Sequence, residues 1–484
     1  MTLNWLSAIY ILAIAGIAIF GMLGTVTLLY YLRVRKIDIA CPEVPTELLP
    51  RVTVQLPIYN ERYVVKRLID GAAELEYPQA KLSIQVIDDS TDDTTKIAAE
   101  HIAQVRQRGI DVKLVHRDNR IGYKAGALEE ATRKSDGEYI AVFDADFVPE
   151  PDFLLKTIPH FLHEPSLGMV QARWGHLNPK DSSLTAAQTI ALDKHFVMEQ
   201  SVRHKANFYP KFNGSAGVWR RKTILDAGGW KDDTVCEDLC LSTRAILKGW
   251  KFRFLNDVVA PAELPSTIVA YKNQQARWAK GSTQCLFKFG PQILHDKGNS
   301  PLARIYALLS MAGYTTHLLL LVLLLVQVPL IAAGYHPPIF LLIFGLLGLS
   351  QPILFVMGQQ AIYPDWKRRL IHFPALLIIA IGLAPVNTRA IINALIGQKN
   401  VFVRTPKGYA DGADSAPKES SISRYQLPFD WIVFVELLLA MYAAVGLSLC
   451  IINKNIGPAL FLATCLLGFG YVAIKSIQER FLQI

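Results

Sequence analysis

The chain has 484 residues, of which 51% are hydrophobic and only 19% charged, and it carries a net charge of +9. That much apolar surface excludes a disordered chain. Its concentration in long uncharged runs excludes an ordinary soluble enzyme, and the length predicts two or three folding units.

The first run, Trp5–Leu32, has 28 residues and no charge. About 20 apolar residues cross a bilayer. The run is too long for a signal-peptide core and lacks a basic start, so 1–36 reads as a retained transmembrane anchor. Arg33, Arg35 and Lys36 follow at once. The positive-inside rule then puts this end in the cytoplasm. The basic balance suits an anionic cytoplasmic leaflet. No nucleic-acid motif accompanies it, so no nucleic-acid partner is expected. None of the six cysteines forms a C-x-x-C pair, which predicts reduced thiols and no zinc site.

The polar stretch 45–265 alternates strand and helix patterns. Arg51–Leu56, Leu82–Ile87, Val112–His116 and Tyr139–Phe143 read as strands, and Glu61–Glu74 and Thr94–Arg108 as helices. This alternation predicts a parallel α/β sheet with helical crossovers. Polar residues gather where the strands end, the edge at which such sheets bind ligands.

Four constellations carry chemistry. Asp88-Asp89-Ser90 ends the second strand, as a binding group or a helix cap. Asp144-Ala145-Asp146 follows the fourth, and a two-residue period would put both carboxylates on one side. Two hard oxygen donors so placed suit a divalent cation on a diphosphate; the bland alternative is an acidic turn. Cys236-Glu237-Asp238 precedes the helical stretch Leu239–Lys248, so its acids are caps or a base. In Gln274-Gln275-Ala276-Arg277-Trp278, residues 274, 277 and 278 share one helix face. That face offers an amide, a guanidinium fork and an apolar plate. The rival reading is an amphipathic helix on lipid headgroups, within an interfacial segment 266–300.

Beyond it, Ile305–Ala333 and Ile339–Ile362 are uncharged runs, which predicts two membrane helices within 301–363. Trp366-Lys367-Arg368-Arg369 returns to the basic side. His372–Gly397 is interrupted by Pro385, Asn387, Arg389 and Asn393, so 364–400 reads as interfacial or re-entrant rather than spanning. Trp431–Ile452, whose only charge is Glu436, and the uncharged Ile456–Ile474 complete a membrane pair within 429–484. Polar groups inside the runs, such as His317 and Gln359, are expected to bond between helices.

Taken in this order, the motifs resemble the D, D, D, Q-x-x-R-W pattern of the glycosyltransferase family 2 polysaccharide synthases, from about Val52 to Lys288. The strings Asp118–Leu128, Val170–Trp174, Phe212–Arg220 and Glu263–Thr267 are similar to those of the cellulose synthase-like A and C branch, the mannan and glucan synthases. The resemblance implies a GT-A-type domain with a Rossmann-like mixed sheet, joined to an α-helical transmembrane domain. It implies an inverting, processive hexosyltransferase that extends a β-linked, β-1,4 polysaccharide from UDP-glucose or GDP-mannose. It further implies a multi-pass protein of a bacterial inner membrane, or of the Golgi membrane in a eukaryote, with the catalytic domain in the cytoplasm.

Residue by residue, Tyr59, Glu61, Asp88 or Asp89, and Lys124 would hold the donor. Asp144 and Asp146 would bind Mg²⁺ or Mn²⁺ on its diphosphate. Asp238 would be the general base, with Glu237 beside the acceptor. Gln274 and Arg277 would hold the pyrophosphate, and Trp278 the acceptor end of the chain, near Asn213, Gly214 and Ser215. Phe402, Thr405 and Lys407 resemble the cellulose synthase gating loop within 401–428, although Arg404 departs from its pattern. The short segment after them leaves no room for a cyclic-dinucleotide-binding domain. Two other readings stay open: transfer of a single sugar to a lipid, and a non-catalytic nucleotide-sugar-binding scaffold or transporter.

Overall fold

The computed structural model describes residues 2–37, 39–398 and 430–481. Seven strands, β1 (Val52–Ile58), β2 (Leu82–Asp88), β3 (Val112–His116), β4 (Tyr139–Val142), β5 (Leu167–His176), β6 (Gly217–Arg220) and β7 (Lys251–Ala262), form one sheet in the order β3-β2-β1-β4-β6-β5-β7. β1 lies parallel to β2 and β4, and β2 to β3, as the alternation predicts. β6 runs antiparallel to both neighbours, so the sheet is mixed.

Strand alternation builds two cores. Tyr139, Ala141 and Phe143 pack on one face of the sheet, with helices Val65–Ala73 and Thr94–Gln107. Ile140 and Val142 pack on the other, with helix Tyr123–Lys134. Polar strand residues on the second face are buried but paired. Thr53 meets Ser83 at 3.0 Å, and Gln55 donates to Gln85 at 3.0 Å. Satisfied in this way, they escape the penalty of a lone buried dipole.

Among the described residues five helices are long and apolar enough to cross a membrane, Asn4–Val34, Thr315–Ala332, Leu341–Ile362, Ile432–Ile452 and Ala459–Phe481, or six if the bent pair Trp366–Gly382 and Ala384–Leu395 is one span. The expected run Ile305–Ala333 is divided. Its first part belongs to a separate helix, Pro301–Met311, and a turn through Gly313 precedes Thr315. The interrupted segment forms helices Phe373–Gly382 and Ala384–Leu395, with a 41° bend between them. Asn387 is buried and meets His317 at 2.9 Å, whereas Arg389 is exposed and holds Asp430 through both guanidinium ends. Gln359 donates to Asp193 at 2.8 Å.

One long helix, Ile268–His295, joins the sheet domain to the membrane helices. Thr267 caps it by accepting from the Ala270 amide at 3.3 Å. Glu479, from the last membrane helix, accepts from the Ile268 and Val269 amides at 2.7 and 3.1 Å. A carboxylate there satisfies orphan amides and complements the helix dipole. One turn on, Lys272 meets Glu436 at 2.7 Å, with both side chains buried. Removing one partner of such a pair strands a charge, at about 3–5 kcal/mol. Glu436→Ala is therefore expected to lower the apparent melting temperature of the solubilised protein. Lys272→Met with Glu436→Leu is expected to recover most of the loss, and wild-type stability of the single variant would refute the role of the pair.

Candidate active site

The ends of β1, β2 and β4 open onto a cavity of about 160 Å³. Tyr59 and Glu61 follow β1, Asp89 follows β2, and Asp144 and Asp146 follow β4; all five line it. The two aspartates are not brought together by strand alternation, because β4 ends at Val142. They share a turn closed by the Phe147 amide on the Asp144 carbonyl at 3.0 Å. The turn is fastened twice more: the Asp144 amide donates to Ser215 Oγ at 2.9 Å, and the Glu263 amide to the Asp146 carbonyl at 3.0 Å.

The paired acids after β2 separate. Asp88 is fully buried and accepts from the Ser90 amide at 2.9 Å and from Thr95 Oγ1 at 2.6 Å, with His116 Nδ1 at 2.8 Å. It ties loops together and does not line the cavity. Asp89 does, clasped by Arg117 at 2.7 and 2.5 Å. Ser215 is likewise buried and supports Asp144 from behind, so it is absent from the walls that Asn213 and Gly214 help to form.

Lys124 stands at the centre. Its ammonium lies 2.6 Å from Asp144 and 3.5 Å from Glu237, and it donates to the Gly214 carbonyl at 2.9 Å. Burial alone would lower its pKa, but the two carboxylates hold it above the ordinary lysine range. Asp238 sits in the first turn of helix Glu237–Leu247 and accepts from the Leu239 amide at 2.7 Å. Burial, then the neighbouring Glu237 charge, pushes it up to about 6. Gly214 permits this approach. Its φ is +88°, and a Cβ there would lie 3.1 Å from Asp238 Oδ2.

Gln274, Arg277 and Trp278 project from helix Ile268–His295 into the same cavity, as their spacing predicts. Gly281, one turn further, lets that helix touch the Asp238 segment: a Cβ there would meet Cys236 Sγ at 2.1 Å.

A second cavity, of about 660 Å³, runs from Asp238, Asn213, Gln274 and Trp278 to Phe20, Thr316, His317 and Gln351 on the membrane helices. Trp174 and Cys236 also line both. A π-helical segment, Lys194–Gln200, supplies charged groups to the second cavity, where His195 meets Glu199 at 2.8 Å and Asn213 at 2.9 Å. Burial pushes His195 down to about 4 and, aided by Arg203, Lys211 down to about 8.

Several of these residues escape motif reading. The Arg120 guanidinium lies 3.3 Å from the Tyr59 ring centroid and lines the first cavity. Gln171 receives the Asn213 amide at 2.9 Å and donates to the Ser215 and Ala216 carbonyls, shaping the loop that holds Gly214. Both residues lie inside the strings that carry the resemblance, the one signal that points to them. Phe402, Thr405 and Lys407 lie outside the described residues.

Among the described residues no three His, Cys, Asp or Glu form a ready metal cage. The pair Asp144 and Asp146 nevertheless fits a hard divalent cation, which in nucleotide sites takes one or two carboxylates plus substrate phosphates. Asp144 already draws a positive charge, the Lys124 ammonium at 2.6 Å.

Residues 50–281 match the family described as Glycosyltransferase like family 2. With this mixed sheet, the match identifies residues 50–281 as a glycosyltransferase family 2 domain of GT-A type. It is 44% identical over 265 residues to glucomannan 4-beta-mannosyltransferase 2 of Arabidopsis thaliana, covering 54% of this chain and 50% of the relative. It is 44% identical over 261 residues to glucomannan 4-beta-mannosyltransferase 1 of Cyamopsis tetragonoloba, covering 53% and 50%. The chain thus spans about half the length of these curated relatives. The solved mannosyltransferase PcManGT from Pyrobaculum calidifontis, in complex with GDP-Man and Mn²⁺, shares the fold. Its TM-score is 0.54 at 22% identity, over 81% of this chain and all of that one.

The contact of Gly281 with Cys236 is open to test. Gly281→Ala overpacks it, at about 1–3 kcal/mol, and is expected to lower the apparent melting temperature. Adding Cys236→Ala is expected to restore part of the loss; an unshifted melting curve for Gly281→Ala would show that the two segments are not in contact.

Proposed function

We propose that the chain is a membrane-embedded, inverting, processive β-glycosyltransferase that builds a β-1,4-linked mannan or glucomannan and passes it across the bilayer. The observation that carries this reading is the junction of the two cavities at Asp238, Gln274 and Trp278. A donor bound among the strand-end carboxylates would have its sugar at that junction, and the lengthening chain would leave through the cavity between the membrane helices. The curated relatives' names favour a mannosyl donor over UDP-glucose, and the GDP-Man in PcManGT supports GDP-mannose.

In this reading Tyr59, Glu61, Asp89 and Lys124 hold the nucleotide, and Arg277 with Gln274 holds its pyrophosphate. Mg²⁺ or Mn²⁺ on Asp144 and Asp146 would screen the charge of the departing diphosphate. Asp238 takes the proton of an acceptor hydroxyl as its oxygen attacks the anomeric carbon and the nucleoside diphosphate leaves. The single displacement inverts an α-linked donor to a β-linked product. Trp278 offers the acceptor sugar a flat apolar face, while Asn213, Gly214 and Glu237 border it. The catalytic domain faces the cytoplasm, where Arg33, Arg35, Lys36, Lys367, Arg368 and Arg369 also lie, joined by Lys475 and Arg480 if the segment 373–395 is re-entrant.

Three outcomes test this. Asp238→Asn is expected to abolish transfer from GDP-mannose while leaving donor affinity nearly unchanged. Because the base must be ionised and burial holds it at about 6, kcat/KM is expected to fall about tenfold per pH unit below that value; an acid limb near pH 4 would contradict the assignment. Trp278→Ala is expected to shorten the polymer without weakening donor binding. A wild-type product of one sugar on a lipid would replace the polymerase reading with single transfer.

A further inference from the structure

A third cavity, also of about 660 Å³, shares no lining residue with the two at the active site. It lies where helix Thr2–Val34 ends, beneath the sheet domain. Ala361, at the end of the apolar helix pair Leu341–Ile362, forms another part of its wall. Two candidate membrane spans therefore finish at its rim.

Four cations converge on it: Arg35, Lys36, Lys156 and Lys205. They come from three separate stretches of chain, so the cluster is a product of folding and not a charge run. Among the described lining residues only Asp257 is acidic. Lys205 is fixed in place, donating to the Val34 and Ile37 carbonyls at 3.1 and 2.6 Å. Lys156 is paired with Asp152. Arg35 and Lys36 have no carboxylate within ion-pair distance among the described residues. The rest of the wall is largely apolar, with Ile39, Leu255 and Val258.

Cations beside an apolar wall, at the ends of membrane-length helices, suit a ligand with an anionic head and a hydrocarbon tail. We propose that this cavity is a binding site for a phosphate ester, and that its occupant is the headgroup of an anionic phospholipid. The assignment rests on the reading that Asn4–Val34 and Leu341–Ile362 span the bilayer, and it does not depend on the glycosyl-transfer chemistry. A lipid held there would brace the sheet domain against the membrane.

Native mass spectrometry of the full chain in detergent tests the site with phosphatidylglycerol and phosphatidylcholine as probes. One phosphatidylglycerol is expected to be retained about tenfold more strongly than phosphatidylcholine. That preference is expected to vanish in Arg35→Gln/Lys156→Gln and to survive in Lys367→Gln/Arg368→Gln, which removes equal charge from another basic cluster. Cys41 gives a second readout that needs no cation variant, because it is exposed on the cavity wall. Its alkylation by a neutral maleimide, followed at the peptide level, is expected to slow with phosphatidylglycerol and not with phosphatidylcholine. Equal protection by inorganic phosphate alone overturns the lipid assignment. Absence of the preference in the wild-type chain, or its persistence in Arg35→Gln/Lys156→Gln, overturns the site. Loss of sugar transfer with lipid retention intact would touch only the proposed activity.

Discussion

Negative charge crowded at one end of the sheet is the constraint around which this protein is arranged. Asp89, Asp144, Asp146, Glu237 and Asp238 face one small cavity. Two like charges 4 Å apart repel by about 4 kcal/mol near a protein surface, so the cluster persists only with cations folded in among it. Arg117 takes Asp89, and Lys124 bridges Asp144 and Glu237. Lys124 thereby connects the turn after β4 to the segment bearing Asp238. In the proposed function, a cation arriving with a diphosphate would compete with this lysine for Asp144 and so change the charge felt by Asp238.

The helix Ile268–His295 converts that local arrangement into a link with the membrane region. Its first two turns are held by Glu479 and Glu436, which come from the last two membrane helices. Its middle carries Gln274, Arg277 and Trp278, and the turn beyond lies against Cys236 through Gly281. A shift of the membrane pair is therefore felt at the cavity without an intervening loop. The same helix separates the two cavities and lets them meet, since Gln274 and Trp278 face both.

Much of this was legible in the amino-acid order. The four parallel strands follow from apolar runs punctuated by acids, and β3 was bounded to the residue because Val112–His116 is short and clearly flanked. The shared face of Gln274, Arg277 and Trp278 follows from helical geometry alone. Other features were not legible. Asp88 and Asp89 are chemically identical neighbours, and only the partners around each, Ser90, Thr95 and His116 against Arg117, separate a structural acid from one facing the cavity. The division of Ile305–Ala333 depends on a turn at Gly313 that uniform hydropathy conceals.

The sequence by itself determined the apolar runs, the acid pairs and the aromatic-guanidinium face, because hydropathy and local periodicity act over a few residues. Tertiary structure decided which acids meet, where Lys124 sits among them, and that Glu436 and Glu479 grip a helix more than 150 residues earlier. Those contacts join segments far apart in the chain, and electrostatic pairing across such distances leaves no periodic trace in the order of the residues.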